Sequence, residues 1–304
     1  MPVAIAFSEY GGPEVLHQIT VEEPEAGPGQ VRVRVRAAGV APFDTKLRAG
    51  ELAGFFNAAF PQRLGNEFAG VVDEVGPEVT GFAAGDEVIG FTFAEAYAEV
   101  VVVPAGQLAG KPEGLPWEVA GALPVVGQGA YHFVQELNVE SGETFLIHAA
   151  AGGVGTVAAQ LARLRGAKVI GTAGEGNHDY LRSLGVIPVT YGEGLVDRIR
   201  EVAPDGVDAA LDAIGGVATD VSVKLVADRD RIGTLVDADQ AIEKYGIRRL
   251  VGGRSPETLA HLADLAVRGE LRLPTTAFAL ADVAQAHRRV DGGHGRGKVV
   301  LTVG

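Results

Sequence analysis

The spacing of hydrophobic and polar positions changes period along this chain, and the change divides it. At VRVRVR (31–36) the alternation is strict, so Val31, Val33 and Val35 share one face of a strand and Arg32, Arg34 and Arg36 the other. MPVAIAF reads as a first strand. FAGVVDEVG (68–76) and GDEVIGF (85–91) read as short strands between glycines, and AYAEVVVVP (96–104) as one stopped by Pro104. Strands this close together predict a compact, barrel-like β domain over residues 1–118. From Pro116 onward helical patterns alternate with short apolar runs. VIPVT (186–190), DAALDAIG (208–215), RIGTLVD (231–237) and IRRLVGG (247–253) are strand candidates. LVDRIREVA (195–203) places Leu195, Ile199 and Val202 on one helical stripe, and Ser255-Pro256 opens a helix that Gly269 ends. Alternating β and α predicts an α/β fold with a doubly wound parallel sheet over 119–272. The tail, a helix at 281–290 and a strand at 298–303, is expected to fold back so that 273–304 completes the β domain.

The densest signal is ETFLIHAAAGGVGTVAAQLARLRGAKVIGT (143–172), which reads strand, glycine turn, helix, strand. Val157, Leu161 and Leu164 fall at helical spacing, and Gly166 ends the helix. A turn built from Gly152, Gly153, Val154 and Gly155 aims backbone N–H groups and the positive helix end at a phosphate. The plain alternative is a tight turn with no ligand, and the flanking strand and helix favour the phosphate cradle. Ala149 stands in the first glycine position of the motif.

Composition narrows the chemistry. The 304 residues, 47% hydrophobic, suffice for two domains. A formal net charge of −13 with no basic block argues against nucleic acid and anionic membranes as partners. No apolar run reaches the length of a membrane span, and the start lacks a leader pattern, so a cytoplasmic location is expected. With no cysteine there is no disulfide, thiolate nucleophile or cysteine-held zinc.

Six stretches, in order, then carry a resemblance: AAGVAPFDTKLRAG (37–50), LGNEFAGVVDEVG (64–76), GFAAGDEVIGF (81–91), LPVVGQGAYHFV (123–134), HAAAGGVG (148–155) and GHGRGKVVL (293–301). Together they resemble the zinc-free quinone oxidoreductase, or zeta-crystallin-like, branch of the medium-chain dehydrogenase/reductase superfamily. The resemblance implies a GroES-like β-barrel catalytic domain, a Rossmann domain for a nicotinamide dinucleotide, a cleft between them, and a homodimer through edge strands such as 247–251. It implies NAD(P)H-dependent reduction of quinones or of carbon–carbon double bonds conjugated to a carbonyl, with an apolar small-molecule substrate and no metal.

Departures from the family pattern fall in the catalytic half. Zinc-dependent relatives carry a histidine where Asn66 stands and a catalytic cysteine just before the region of Asp44; here that region reads Ala41-Pro42-Phe43-Asp44. Quinone oxidoreductases often have Asn at Ala41, Tyr at Lys46 and Thr at Gly129. Lys46 is therefore the candidate donor to a substrate oxygen, or else a solvated lysine on a short helix. Asp44 orients Lys46 or caps that helix. Asn66 donates an amide N–H near the former metal position, or is a turn residue. Phe55, Phe56 and Phe60 cover an apolar substrate, or simply pack. Tyr97 lines the cleft or belongs to its strand. His148, beside the glycine turn, reads as structural.

NAD-specific sites hold the ribose diol with an acid at the end of the second strand. Here that strand ends Thr172-Ala173-Gly174 with no acid before Glu175, which favours NADPH over NADH. In the family pattern His178 takes the place of a phosphate-binding lysine, with Arg182 and Tyr191 as further candidates. Topology adds Asp212, Gly233 and Leu235 at strand ends, and Lys298 matches a family lysine near the cleft. Two other functions stay open: a reductase of an unsaturated biosynthetic intermediate, as in polyketide enoyl-reductase modules, and a non-catalytic NADPH-binding structural or sensor protein.

Overall fold

The computed structural model describes residues 1–236, 238–293 and 295–304. Asp237, the last residue of the candidate strand 231–237, and His294, within the stretch 293–301, lie outside the described residues. The chain divides into two compact units: Met1–Val125 with Arg254–Gly269 and Leu273–Gly304, and Val126–Gly253 with Glu270–Arg272. The division falls inside the helix Trp117–Glu136, one residue after Pro124.

The first unit is built on a seven-stranded sheet. Its strands run in the order Thr275–Ala279, Lys298–Thr302, Gln30–Val40, Glu67–Val75, Glu87–Phe91 and Leu108–Gly110, with Val100–Pro104 also paired to Gln30–Val40. A smaller sheet joins Leu16–Thr20, Val3–Phe7 and Gln62–Arg63. The valines of VRVRVR do face inward: Val31, Val33 and Val35 sit in one apolar core with Ile5, Phe7, Phe68 and Leu301. The strand expected over 96–104 begins only at Val100. Residues 96–99 are irregular, and Ala98 makes only an isolated bridge to Ala4. The backbone there bonds to two different segments, the Tyr97 N–H donating to the Leu64 carbonyl and the Tyr97 carbonyl accepting the Ile5 N–H.

The second unit is a six-stranded sheet, parallel throughout, in the order Ile187–Val189, Lys168–Thr172, Thr144–Ile147, Ala209–Asp212, Ile232–Thr234, Arg248–Arg249. Numbered along the chain this is 3-2-1-4-5-6, the doubly wound order whose direction reverses beside the first strand. The helix Gly153–Leu164 follows that strand and buries Val157 and Leu161, but Leu164 in its last turn is 51% exposed. The buried stripe runs instead through Ala158, Ala159 and Ala162, small residues that let the helix lie close to the sheet. Ser255 caps the helix Pro256–Val267 by accepting the Thr258 N–H at 3.1 Å.

Candidate functional site

In the first unit the helix Pro42–Ala49 places Asp44 at its third position, where the carboxylate reaches back to the Ala41 N–H at 2.8 Å. Capping is thus one task of Asp44, and among the described residues it does not pair with Lys46. Its other contacts reach across the fold. Asn66 Nδ2 donates to Asp44 Oδ1 at 2.9 Å, and the Tyr97 hydroxyl donates to Asp44 Oδ2 at 3.0 Å. The Asn66 Oδ1 accepts the Ala94 N–H at 3.3 Å. Each amide end therefore has a fixed partner type, which sets the orientation of Asn66 and leaves one N–H over.

The Asp44 carboxyl is fully buried with three donors but no cation in contact, and burial pushes its pKa up to about 6. Burial beside that carboxylate likewise pushes the Tyr97 phenol well up, so it stays a donor. Gly65 makes room for this: with φ at +93°, a Cβ there would lie 2.4 Å from the Tyr97 ring. Sequence reasoning missed the Tyr97 link; the only hint was the Gly65-Asn66 pair beside a tyrosine too far along the chain to connect by pattern.

Glu67, next along, is fully buried and paired with Lys298 at 2.6 Å. Lys298 also donates to the Val40 carbonyl at 2.9 Å, and Glu67 accepts the Val125 N–H at 2.7 Å, just past Pro124. The ammonium of Lys298 is thus engaged within its own unit. Lys46 differs: half-buried, it has no side-chain hydrogen bond or ion pair among the described residues. Of the three phenylalanines expected over a substrate, Phe60 packs on Phe7 and Tyr10, while Phe55 is 77% exposed. Phe56 instead meets Phe43 and Phe93. A surface cavity of about 850 Å³, lined by residues such as Phe82, Glu87 and Lys111, contains none of the site residues.

In the second unit the glycine turn has the geometry of an anion cradle. Ala149 adopts a left-handed φ of 56°, the conformation that glycine usually supplies. Gly152 caps the helix Gly153–Leu164 with no side-chain cap and no acidic residue in the first turn, so the N–H groups of Gly153, Val154 and Gly155 meet no competing carboxylate. A Cβ on Gly155 would lie 2.5 Å from the Ala149 carbonyl oxygen, which is why only glycine lets helix and strand approach this closely. These residues fit a dinucleotide phosphate.

His148 is buried, with Nδ1 3.1 Å from the Thr172 hydroxyl and Nε2 3.1 Å from the Ser222 hydroxyl. Burial pushes its pKa down to about 4, so it is a neutral strut between strand and helix. Thr172, so engaged, is 3% exposed. His178 Nε2 donates to the Ala173 carbonyl at 3.3 Å, and Tyr191 stands beside Gly174, half exposed. Arg182 is paired with Asp179. Asp212 is buried at the end of its strand and spends its carboxylate on its own turn: Oδ1 accepts the Ile214 and Gly215 N–H groups, and Oδ2 accepts Thr219. Gly233 is required by packing, since a Cβ would lie 2.5 Å from Leu250. Leu235 is half-buried and hydrogen-bonds the Asp212 carbonyl through its N–H.

Residues 27–113 match the alcohol dehydrogenase GroES-like domain, and residues 185–301 match the zinc-binding dehydrogenase family. The chain is 34% identical to a quinone oxidoreductase of Pseudomonas aeruginosa, covering 99% of both. It belongs to the quinone oxidoreductase branch of the medium-chain dehydrogenase/reductase superfamily. The fold agrees: the Escherichia coli quinone oxidoreductase complexed with NADPH superposes with a TM-score of 0.88 at 26% identity, over 99% of this chain and 100% of that one. The chain is also 36% identical, over 93% of its length, to erythronolide synthase EryA2 of Saccharopolyspora erythraea, of which it spans only 8%. Quinone oxidoreductase family membership makes this chain an oxidoreductase. Although one matched family carries zinc in its name, the chain has no cysteine, and no three His, Asp or Glu side chains converge as a ligand set among the described residues.

Proposed function

We propose that this quinone oxidoreductase family member reduces quinones or α,β-unsaturated carbonyl compounds with NADPH, by hydride transfer without a metal ion. The observation that carries the reading is the Asn66 amide, fixed between Asp44 and the Ala94 N–H at the position where zinc-dependent relatives have a histidine. Asn66 there offers an N–H to a substrate oxygen instead of a lone pair to a metal. When bound, the dihydronicotinamide supplies the hydride.

The chain's own residues would do the rest. The N–H groups of Gly153, Val154 and Gly155 would hold the pyrophosphate. The absence of a carboxylate at Thr172-Ala173-Gly174 leaves room for a ribose phosphate near His178 and Tyr191, and a relative from Escherichia coli is complexed with NADPH. As hydride reaches an acceptor carbon, negative charge grows on the conjugated oxygen. Asn66 Nδ2–H and the Lys46 ammonium are the donors we assign to stabilise it, with the proton coming from Lys46 or water. A quinone suits this site because its reduced anion is already stable and demands little acid.

Steady-state oxidation of NADPH against quinones, cyclic enones, enals and simple ketones tests the reading. Comparable turnover of simple ketones, or a higher efficiency with NADH, would count against it. The likeness to polyketide synthases supports a second reading, reduction of an enoyl intermediate, which an enoyl thioester in the same screen would reveal. NADPH binding with no turnover of any acceptor would favour a structural or sensor role. We also propose a cytoplasmic homodimer paired through the sheet-edge strand Arg248–Arg249, to be checked by sedimentation.

A further inference from the structure

Three phenylalanines from separate segments of the first unit meet at its surface. Phe43 lies in the first turn of the helix Pro42–Ala49, Phe56 follows the turn after that helix, and Phe93 follows the strand Glu87–Phe91. The ring centroids are 5.5 Å apart for Phe43–Phe56, 6.0 Å for Phe43–Phe93 and 5.5 Å for Phe56–Phe93. Phe43 meets the other two edge-on, while Phe56 and Phe93 are tilted by 36°. Phe56 is 40% exposed and Phe93 54%, so ring surface faces outward.

This cluster abuts the polar network through the backbone. Phe43 precedes Asp44, and Phe93 precedes Ala94, whose N–H holds the Asn66 amide. Ala94 has a left-handed φ of 55°, a conformation that costs a non-glycine residue. Lys46 lies three residues beyond Phe43, on the same side of the helix and without a partner among the described residues.

We propose that Phe43, Phe56 and Phe93 are specificity determinants that select flat, ring-bearing acceptors, fused-ring quinones above all, over linear enals. The proposal rests on the reductase reading above. Exposed phenyl rings at mutual tilts present edges and faces that a second π-system fills better than an alkyl chain does. An aromatic acceptor on these rings would have a cation, Lys46, within one helical turn of Phe43, and would lie against the Phe93-Ala94 segment that holds the Asn66 amide. A linear enal would use the donors but leave the rings wet.

The test compares wild type with F56A, F93A and the milder F56L/F93L, using 1,4-naphthoquinone and trans-2-hexenal at saturating NADPH. Each single substitution should raise KM for the quinone about 2- to 10-fold, with kcat and the KM for NADPH little changed and the KM for hexenal within twofold. Equal effects on both acceptors, or none, would overturn the proposal. So would dissociation of a dimer by these variants without any change in quinone KM, which would make the patch a contact between copies. Titration with redox-inert 2-naphthol separates the two readings. Phenylalanine-dependent binding without reduction of any acceptor would sink the reductase reading and leave the aromatic site standing. Quinone turnover indifferent to all three variants would sink only the aromatic site.

Discussion

Asp44 Oδ1 and Asn66 Nδ2 lie 2.9 Å apart, and that contact decides which end of the Asn66 amide is the donor. A carboxylate can only accept, so the amide cannot flip while Asp44 is ionised. N66A should lower kcat/KM by about 100-fold, the usual cost of losing one donor to a developing oxyanion. D44N should cost less, about 10-fold, because the side chain stays but its demand for a donor is gone. Steady-state kinetics with a quinone acceptor check both. Neither variant should move the KM for NADPH, and a matching rise in that KM would mean a general loss of structure.

Tyr97 reaches Asp44 only because Gly65 carries no side chain. G65A meets both a left-handed φ and the Tyr97 ring, so it should destabilise by about 2–4 kcal/mol, read as a lower urea midpoint. Y97F leaves the backbone alone and removes one hydrogen bond to a buried carboxylate, worth about 1.5–3 kcal/mol. Because that bond holds the Asp44 pKa down, Y97F should also raise it further above 6, which infrared detection of the protonated carboxyl would register. An unchanged carboxyl titration would mean that Tyr97 is only packing.

The parts of this molecule that were legible in the sequence are those carried by local period or by a short motif. VRVRVR named its buried face because alternation in a half-buried strand is local, and the Ser255-Pro256 cap read correctly for the same reason. The glycine turn was legible because the residues between the strand at 144–147 and the helix at 153–164 specify it alone. The polar network was not. Asp44, Asn66 and Tyr97 stand far apart in the chain, and their meeting depends on strand order and on a gap at Gly65. The same limit hid Phe43 and Phe93 as partners of Phe56, and it hid the engagement of Lys298 with Glu67. Leu164 fitted the helical stripe but emerges at the helix end, because the alanines carry the close packing.

The glycine turn makes opposite demands at two positions. At Gly155 space is missing, so G155A must push the helix off the strand. It should destabilise the protein by about 1–3 kcal/mol and raise the KM for NADPH by an order of magnitude or more. At Ala149 the backbone is left-handed, so A149G relieves strain and should stabilise by up to about 1 kcal/mol. Urea denaturation and cofactor titration of the two variants check the pair. If both destabilised equally, the close approach at Gly155 would not be what sets this turn.

Two buried groups of the first unit should give stability opposite slopes against pH. Asp44 is raised to about 6 by burial, so the folded state holds its proton more tightly than the unfolded chain does. Its contribution is full below about pH 4 and is lost as pH rises towards about 6, a change of roughly 3 kcal/mol at 1.36 kcal/mol per unit. His287 is driven down to about 3 by burial and by the Arg48 guanidinium, which donates to its Nδ1 at 3.2 Å. The folded state therefore resists protonating it. Stability from this group is full above about pH 6.5 and is lost as pH falls towards about 3, by up to roughly 5 kcal/mol. Arg48 is itself held by Asp291 and the Gly11 carbonyl, so it stays in place as the ring titrates. Urea unfolding from pH 4 to pH 7 should separate the two groups. Relative to wild type, D44N should gain stability as pH rises through 4 to 6, and H287N should gain it as pH falls below 6.5. Difference curves that run flat would mean that neither group changes its proton affinity on folding.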